Sequence, residues 1–459
     1  MRLGDLSAGQ RALLDAMLID EGVAAAPRIP RRDGDRGRAP LTAGQEAIYF
    51  LERLRPGSAA YTIAGAVRLT GDFDPAGLWQ ALRLVVERHE ALRTGFRESA
   101  DGEPEQFVVR DVHVDLDERT LDLAEDVDRV VRELAARPFD LGEPPLLRAT
   151  LVRSPGAGDA LLVLCVHHLV IDGGSLPIVL EDLATAWRTG AVAAPATAVE
   201  FGDVAAWQRQ WLDSDEHARQ LADWVRRLDG AAPAALLTDH PRTPETSAAS
   251  AWCPVTIPAD VVAGLHRLAE GERATLFMAL LAAWSVVLAR WSGSEDLVIG
   301  APVAGRTVAE TERMVGFFVN TLPLRVDASG DPTFRELLGR VRDVAYDGYE
   351  RQSVPLERIL RTLRRSGGDL IRHALTLHTI RPARLSLPGV EAEPVPVHTG
   401  AGRFELELQL EPTADGSLTG RLEYATDLFE PASADGFAAA LGLVLAGVVA
   451  DASQRLSRL

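Results

Sequence analysis

The sequence predicts a mixed α/β protein of two lobes, and three observations carry that prediction. A chain of 459 residues exceeds what one ordinary core organises and suits two domains of about 200 residues each. With 47% apolar and 25% charged residues, it has the composition of a folded globular protein rather than a disordered one. Apolar runs of strand character alternate with stretches of helical periodicity. The clearest run, Leu161–Val166 (LLVLCV), has the length and branching of a strand buried on both faces.

Taken in order, residues 1–26 include an amphipathic helix over 5–22, capped at Ser7, with Leu13, Leu14, Met17 and Leu18 on one side. Packing onto the main body and docking a partner protein are both open to it. Residues 27–40, PRIPRRDGDRGRAP, are rich in Arg, Gly and Pro without periodicity and read as an exposed linker. A first lobe spans 41–189. It opens with a helix bearing Gln45, Tyr49 and Phe50, followed by a strand from about Tyr61 to Leu69 and a helix over Pro75–Leu92. A strand around Gln106–Leu116, a helix over Leu123–Ala136 and strands at Leu147–Val152 and Leu161–Val166 complete it. The Ala/Pro-rich Gly190–Glu200 marks the boundary to a second lobe, 190–459, which carries a buried helix over Thr275–Trp291.

The stretch LLVLCVHHLVIDGGS, Leu161–Ser175, organises the chain. The apolar strand ends in His167 and His168, and neighbouring side chains on a strand point to opposite faces, so one of the two serves any given cavity. Asp172 follows, then Gly173 and Gly174 for a tight turn, then Ser175 as the expected N-cap of a helix over Leu176–Trp187. A lone His here reads as a satisfied core residue and a lone Asp as a turn former. Two histidines, an Asp and a Gly leaving a buried strand together point to a site, because unpaired polar groups are costly to bury.

The pattern HHxxxDG resembles the active-site motif of nonribosomal peptide synthetase condensation domains, within the chloramphenicol acetyltransferase-like superfamily. RHEALRTGF (Arg88–Phe96), FGDVAAWQRQWL (Phe201–Leu212), LVIGAPVAGR (Leu297–Arg306), GFFVNTLPLR (Gly316–Arg325) and GSLTGRLEYATDLFE (Gly416–Glu430) resemble further family segments in the family's order. The resemblance implies two chloramphenicol acetyltransferase-like lobes forming a V-shaped pseudodimer with the active site at the junction. It also implies acyl transfer from a carrier-protein phosphopantetheine thioester to an acceptor amine or hydroxyl. His168 would be the catalytic residue, with His167, Asp172 and the amide of Gly173 in support. Arg93 and Arg306 are the candidate cations for Asp172, with Arg306 preferred. Gly174 stands where many members carry Trp, so the space beside the histidine is expected either to be open or to be filled from the second lobe; Gly174, Ser175 and Asn320 are the candidate substrate contacts.

The arm travels with the carrier protein, so no soluble cofactor and no metal are implied, and the acceptor is carrier-bound or a free small molecule. Epimerisation domains share HHxxxDG but differ in the second lobe, where GFFVNTLPLR is of the condensing type. A non-catalytic, partner-recruiting relative is the other alternative. Heterocyclisation domains replace the His pair, and plant CoA-dependent relatives add a DFGWG motif that is not found here.

The net charge of −18 argues against nucleic acid as the main partner. Cys165 and Cys253 form no disulfide framework, which fits a reducing cytosol. The apolar stretches Leu276–Leu288 and Phe437–Ala450 fall short of the roughly 20 residues that cross a bilayer, and the N-terminus lacks a signal-peptide core.

Overall fold

In the computed structural model, the described residues are 28–459 except 55–56, 58, 122–126, 154–158, 193–198, 244–248, 369 and 379–384. The helix expected over 5–22 and its docking role lie outside them. The chain forms two compact units.

The first unit runs to Ser214 and takes in 304–319 and 383–399 from later in the chain. In order it holds β1 (Arg38–Pro40), α1 (Ala43–Leu54), β2 (Thr62–Gly71), α2 (Pro75–Arg88), a single 3-10 turn (Glu90–Arg93), β3 (Thr94–Glu98) and β4 (Pro104–Val108). Then come β5 (Asp115–Thr120), α3 (Val127–Ala135), β6 (Leu147–Arg153), β7 (Asp159–His167), α4 (Leu176–Thr189) and α5 (Phe201–Leu212). The boundary expected at 189–190 therefore differs from the structure, where α5 packs on β1 inside this unit.

β7 is the interior strand that the apolar run requires. It pairs antiparallel with β2 on one side, Thr62 opposite His167, and with β6 on the other. Leu162, Leu164 and Val166 enter a core with α2 and α4, whereas Leu161, Val163 and Cys165 enter a second core with α3. Six such buried side chains contribute roughly 1.5–3 kcal/mol each, which anchors whatever the strand's end presents.

Two expectations in this unit are corrected. The stretch 106–116 is not one strand: β4 pairs with β1 and β3, and β5 pairs with β6 in a different sheet. The chain must break between them to change sheets. The linker is not free either. Ile29 is buried, Arg38–Pro40 pair with β4, and Arg32 and Arg36 reach the fully buried Asp203 of α5 at 3.2 and 3.0 Å. Arg32 and Arg36 are held by one carboxylate more than 160 residues away, and nothing local in the sequence signals that.

The second unit contains α6 (Asp215–Leu228), β8 (Ser250–Ile257), α7 (Ala259–Gly271), α8 (Leu276–Ser292), β9 (Asp296–Val303), β10 (Asn320–Asp327), α9 (Phe334–Glu350), α10 (Leu356–Leu363) and β11 (His373–Leu377). Next in the chain is β12 (Val390–Val395), which instead pairs with β2 at the edge of the first unit's five-stranded sheet. β13 (Leu406–Pro412), β14 (Leu418–Ala425) and α11 (Pro431–Ala450) complete the second unit. Its six-stranded sheet runs β10-β9-β11-β13-β14-β8, with β11 parallel to both neighbours. α8 is buried on all sides, as its uninterrupted apolar sequence requires. α11 is longer than its apolar stretch suggested. By length and composition it could cross a membrane, and it packs on α7, α8 and β8 through Phe437, Leu441, Val444 and Val448.

Candidate active site

From Leu161 to Asp172 every residue is buried except His168, which is half-buried, and Gly173 beyond them is exposed. His168 leaves the sheet at the end of β7, where its N–H still donates to the Tyr61 carbonyl at 2.8 Å. Its Nδ1 lies 2.8 Å from the Ile171 carbonyl oxygen. A carbonyl only accepts, so Nδ1 carries the proton and the neutral ring is left with its basic lone pair on Nε2. The Phe317 ring stands edge-on to the imidazole, centroids 5.0 Å apart. Phe317 comes close because Gly44 of α1 lacks a side chain; a Cβ there would lie 2.8 Å from the ring.

Asp172 does not orient His168. Its Oδ1 accepts from Ser175 N–H (2.8 Å), Ser175 Oγ (2.7 Å) and Arg306 Nη2 (2.9 Å), and its Oδ2 accepts from Phe318 N–H (3.0 Å). Arg306 therefore supplies the cation. Its Nη1 donates to the Thr311 and Met314 carbonyls at 2.6 and 2.7 Å, and the guanidinium lies over the Phe318 ring at 4.2 Å. Its Nε is buried without a hydrogen-bond partner among the described residues. Two charges out of water need such pairing, because their attraction alone does not offset desolvation. Arg93 turns elsewhere, to the Val109 carbonyl at 2.8 Å. It faces Glu200, whose carboxyl is pushed up to about 7, mainly by burial and then by Glu90, with Arg88 and Arg93 opposing.

The three residues expected as substrate contacts each hold structural partners. Ser175 is fully buried and makes no side-chain cap; its Oγ also accepts from Arg306 Nη2 (2.8 Å) and Gly316 N–H (3.1 Å). That hydroxyl is a junction in the Asp172–Arg306 network. The space beside Gly174 is filled by Arg306, from the later part of the chain: an added Cβ would meet Arg306 Nε at 3.0 Å and Asp172 Oδ1 at 3.6 Å. Asn320, in the second unit, donates to the Gln352 and Val354 carbonyls, both at 2.8 Å, and accepts from Thr321 and Leu356 N–H at 2.9 and 3.1 Å. Its amide is consumed in holding the turn before α10.

Sequence reasoning missed Phe317 and Phe318 as neighbours of the motif, although GFFVNTLPLR is among the segments that carry the resemblance. An adjacent aromatic pair opening that segment was the available signal. Gln45 gains a definite task as well: its Nε2 donates to the Leu169 carbonyl at 2.9 Å, within the motif. Among the described residues, no three His, Cys, Asp or Glu side chains group as a metal site.

Comparisons with known proteins place the family. A linear gramicidin synthase protein of Brevibacillus parabrevis is 37% identical over 437 residues, covering 91% of this chain; the chain spans 6% of that protein's length. The X-domain from teicoplanin biosynthesis, solved in complex with OxyB, is similar at TM-score 0.84 and 28% identity, covering 95% of this chain and 98% of that one. The first condensation domain of the calcium-dependent antibiotic synthetase, solved with a substrate analogue, shares the fold at TM-score 0.77 and 24% identity, covering 92% and 98%. The family model described as "Condensation domain" matches residues 35–459, and the chain belongs to that family.

Proposed function

We propose that the chain catalyses condensation in nonribosomal peptide or related biosynthesis. It would transfer an acyl or aminoacyl group from a carrier-protein phosphopantetheine thioester to an amine or hydroxyl. The observation that carries this reading is His168, the one surface-reaching side chain on an otherwise buried segment, with its tautomer set by Ile171. A thioester is already activated, so the protein's task is to hold two substrates together and manage one proton. The acceptor nitrogen or oxygen attacks the thioester carbonyl, the C–S bond breaks as the C–N or C–O bond forms, and Nε2 of His168 takes the acceptor's proton and returns one to the departing thiolate. The exposed backbone at Gly173 is the nearest part of the motif to a forming oxyanion. The Asp172–Ser175–Arg306 network holds the turn that carries these groups. The pantetheine arm enters with its carrier and supplies the activated acyl group.

A second reading is a partner-recruiting module without turnover, favoured by the likeness to the X-domain solved with OxyB. Intact-mass spectrometry decides between them. Loaded carrier protein is mixed with the chain and with amine or alcohol acceptors, and acyl discharge onto an acceptor is measured. Discharge that requires His168 supports condensation. Binding of carrier with no discharge for any acceptor supports recruitment, and inversion of the loaded residue without discharge, read by chiral chromatography after its release from the carrier, points to epimerisation.

A further inference from the structure

α1 meets the histidine motif and its neighbours at three points. Gly44 admits Phe317 against His168, Gln45 holds the Leu169 carbonyl, and Glu52 faces His167. The third contact has no assigned purpose. Glu52 lies in the last turn of α1, where Phe50, Leu51 and Leu54 are exposed, yet its side chain turns inward and is 9% exposed. Its Oε1 is buried without a hydrogen-bond partner among the described residues and lies 3.8 Å from Nε2 of His167. A buried carboxylate oxygen left in that condition needs a donor.

The polar group facing it is His167. Its Nδ1 accepts the Leu169 N–H at 3.2 Å, so that nitrogen carries no proton. The proton of the neutral ring is therefore on Nε2, directed at Glu52. At 3.8 Å the contact is longer than a hydrogen bond. The Phe139 ring stands edge-on to the imidazole at 6.0 Å and limits its movement. The His167 carbonyl in turn accepts the Val170 N–H at 3.1 Å, within the turn that presents His168.

We propose that Glu52 is a positioning residue: it fixes the orientation of His167 and, through it, the turn that places Nε2 of His168. This rests on the acyl-transfer reading above. Misplacing a reacting group by an ångström costs up to about 10²-fold in rate, so Glu52→Leu is expected to lower kcat about tenfold or more while KM for the carrier changes little. Glu52→Gln, whose amide oxygen still accepts, is expected to recover most of the rate.

The test uses the full chain with ¹⁵N-labelled histidine. The His167 signal is identified by its loss in His167→Asn, and the rates are measured in the same preparations. Wild type should show a His167 ring protonated at Nε2 with a downfield proton, retained in Glu52→Gln and shifted upfield in Glu52→Leu. Wild-type kcat in Glu52→Leu, or a His167 signal that ignores Glu52, overturns the proposal. Should Glu52→Leu not fold, Glu52→Asp, which keeps the charge but withdraws it, must show the upfield shift. Should wild type show no turnover, the acyl-transfer reading fails, while the His167 signal still decides whether Glu52 holds that ring.

Discussion

The two units treat polar groups at buried strands in opposite ways. At the end of β7, Asp172 is 2% exposed and each oxygen is occupied, with Arg306, Ser175 and Phe318 converging on it. At the start of β11, His373 is 0% exposed and neither ring nitrogen has a hydrogen-bond partner among the described residues. Burial, with Arg242 and Arg372 adding to it, holds the His373 imidazolium down to a pKa of about 3. The first arrangement keeps a charge in the interior by surrounding it with donors. The second keeps a polar ring in the interior by never letting it become charged. Saturation accompanies the segment that carries the candidate chemistry, and an unsatisfied ring sits in the other unit's sheet.

The sharpest test of the contrast removes one partner from the saturated site. Asp172→Ala leaves Arg306 buried and uncompensated, and a loss of about 3–5 kcal/mol is expected in urea or thermal melts. A variant that melts like wild type yet is inactive would move Asp172 into the chemistry itself. His168→Ala is expected to do the reverse, costing roughly 10²-fold or more in turnover with an almost unchanged melting curve, because the ring reaches the surface. A smaller loss would mean that His168 positions the acceptor rather than moving its proton.

Acid tests the unsatisfied site. The folded pKa of His373, about 3, lies below its ordinary 6.5, so between those values the unfolded chain binds the extra proton. The neutral ring therefore places no penalty on folding above pH 6.5. Stability falls as pH drops through the window from 6.5 to 3, by up to about 1.4 kcal/mol per pH unit. His373→Leu should flatten that part of the acid limb in urea melts at pH 7, 6 and 5. Identical slopes for variant and wild type would show that the ring finds a donor or acceptor in solution.

A smaller effect is expected at Asn320, where replacing the amide with Ala leaves the Gln352 and Val354 carbonyls and the Leu356 N–H short of partners. About 1–3 kcal/mol should be lost without a change in acceptor preference. Altered acceptor choice at unchanged stability would support the substrate-contact reading. The smallest is Gly174→Ala, where the new methyl meets Arg306 Nε and the guanidinium must shift by a few tenths of an ångström. Roughly 1 kcal/mol of destabilisation is too small to abolish folding, so turnover should persist.

Local pattern was enough for much of this. An unbroken apolar run long enough for a strand had to be interior, and HHxxxDG at its end placed polar groups where a buried strand stops. α8 could be read as a buried helix because it offers no polar face. The linker and the split between β4 and β5 were misread for one shared reason: each depends on a partner distant in the chain. Asn320 looked like a polar residue available for binding until the turn at 352–356 took up its amide. The space beside Gly174 could be open or filled until Arg306 was found in it.

By itself, the sequence determined the strand that carries the His pair, the order of its segments and the family, because these follow from hydrophobic periodicity and residue identity along the chain. Only the tertiary structure decided that Asp172 pairs with Arg306 rather than Arg93, that β12 returns to the first unit's sheet, and that Glu52 turns inward toward His167. Those choices depend on which distant donor or strand edge lies within a few ångströms of an unsatisfied group. That distance is set by the packing of the whole chain and not by any local stretch.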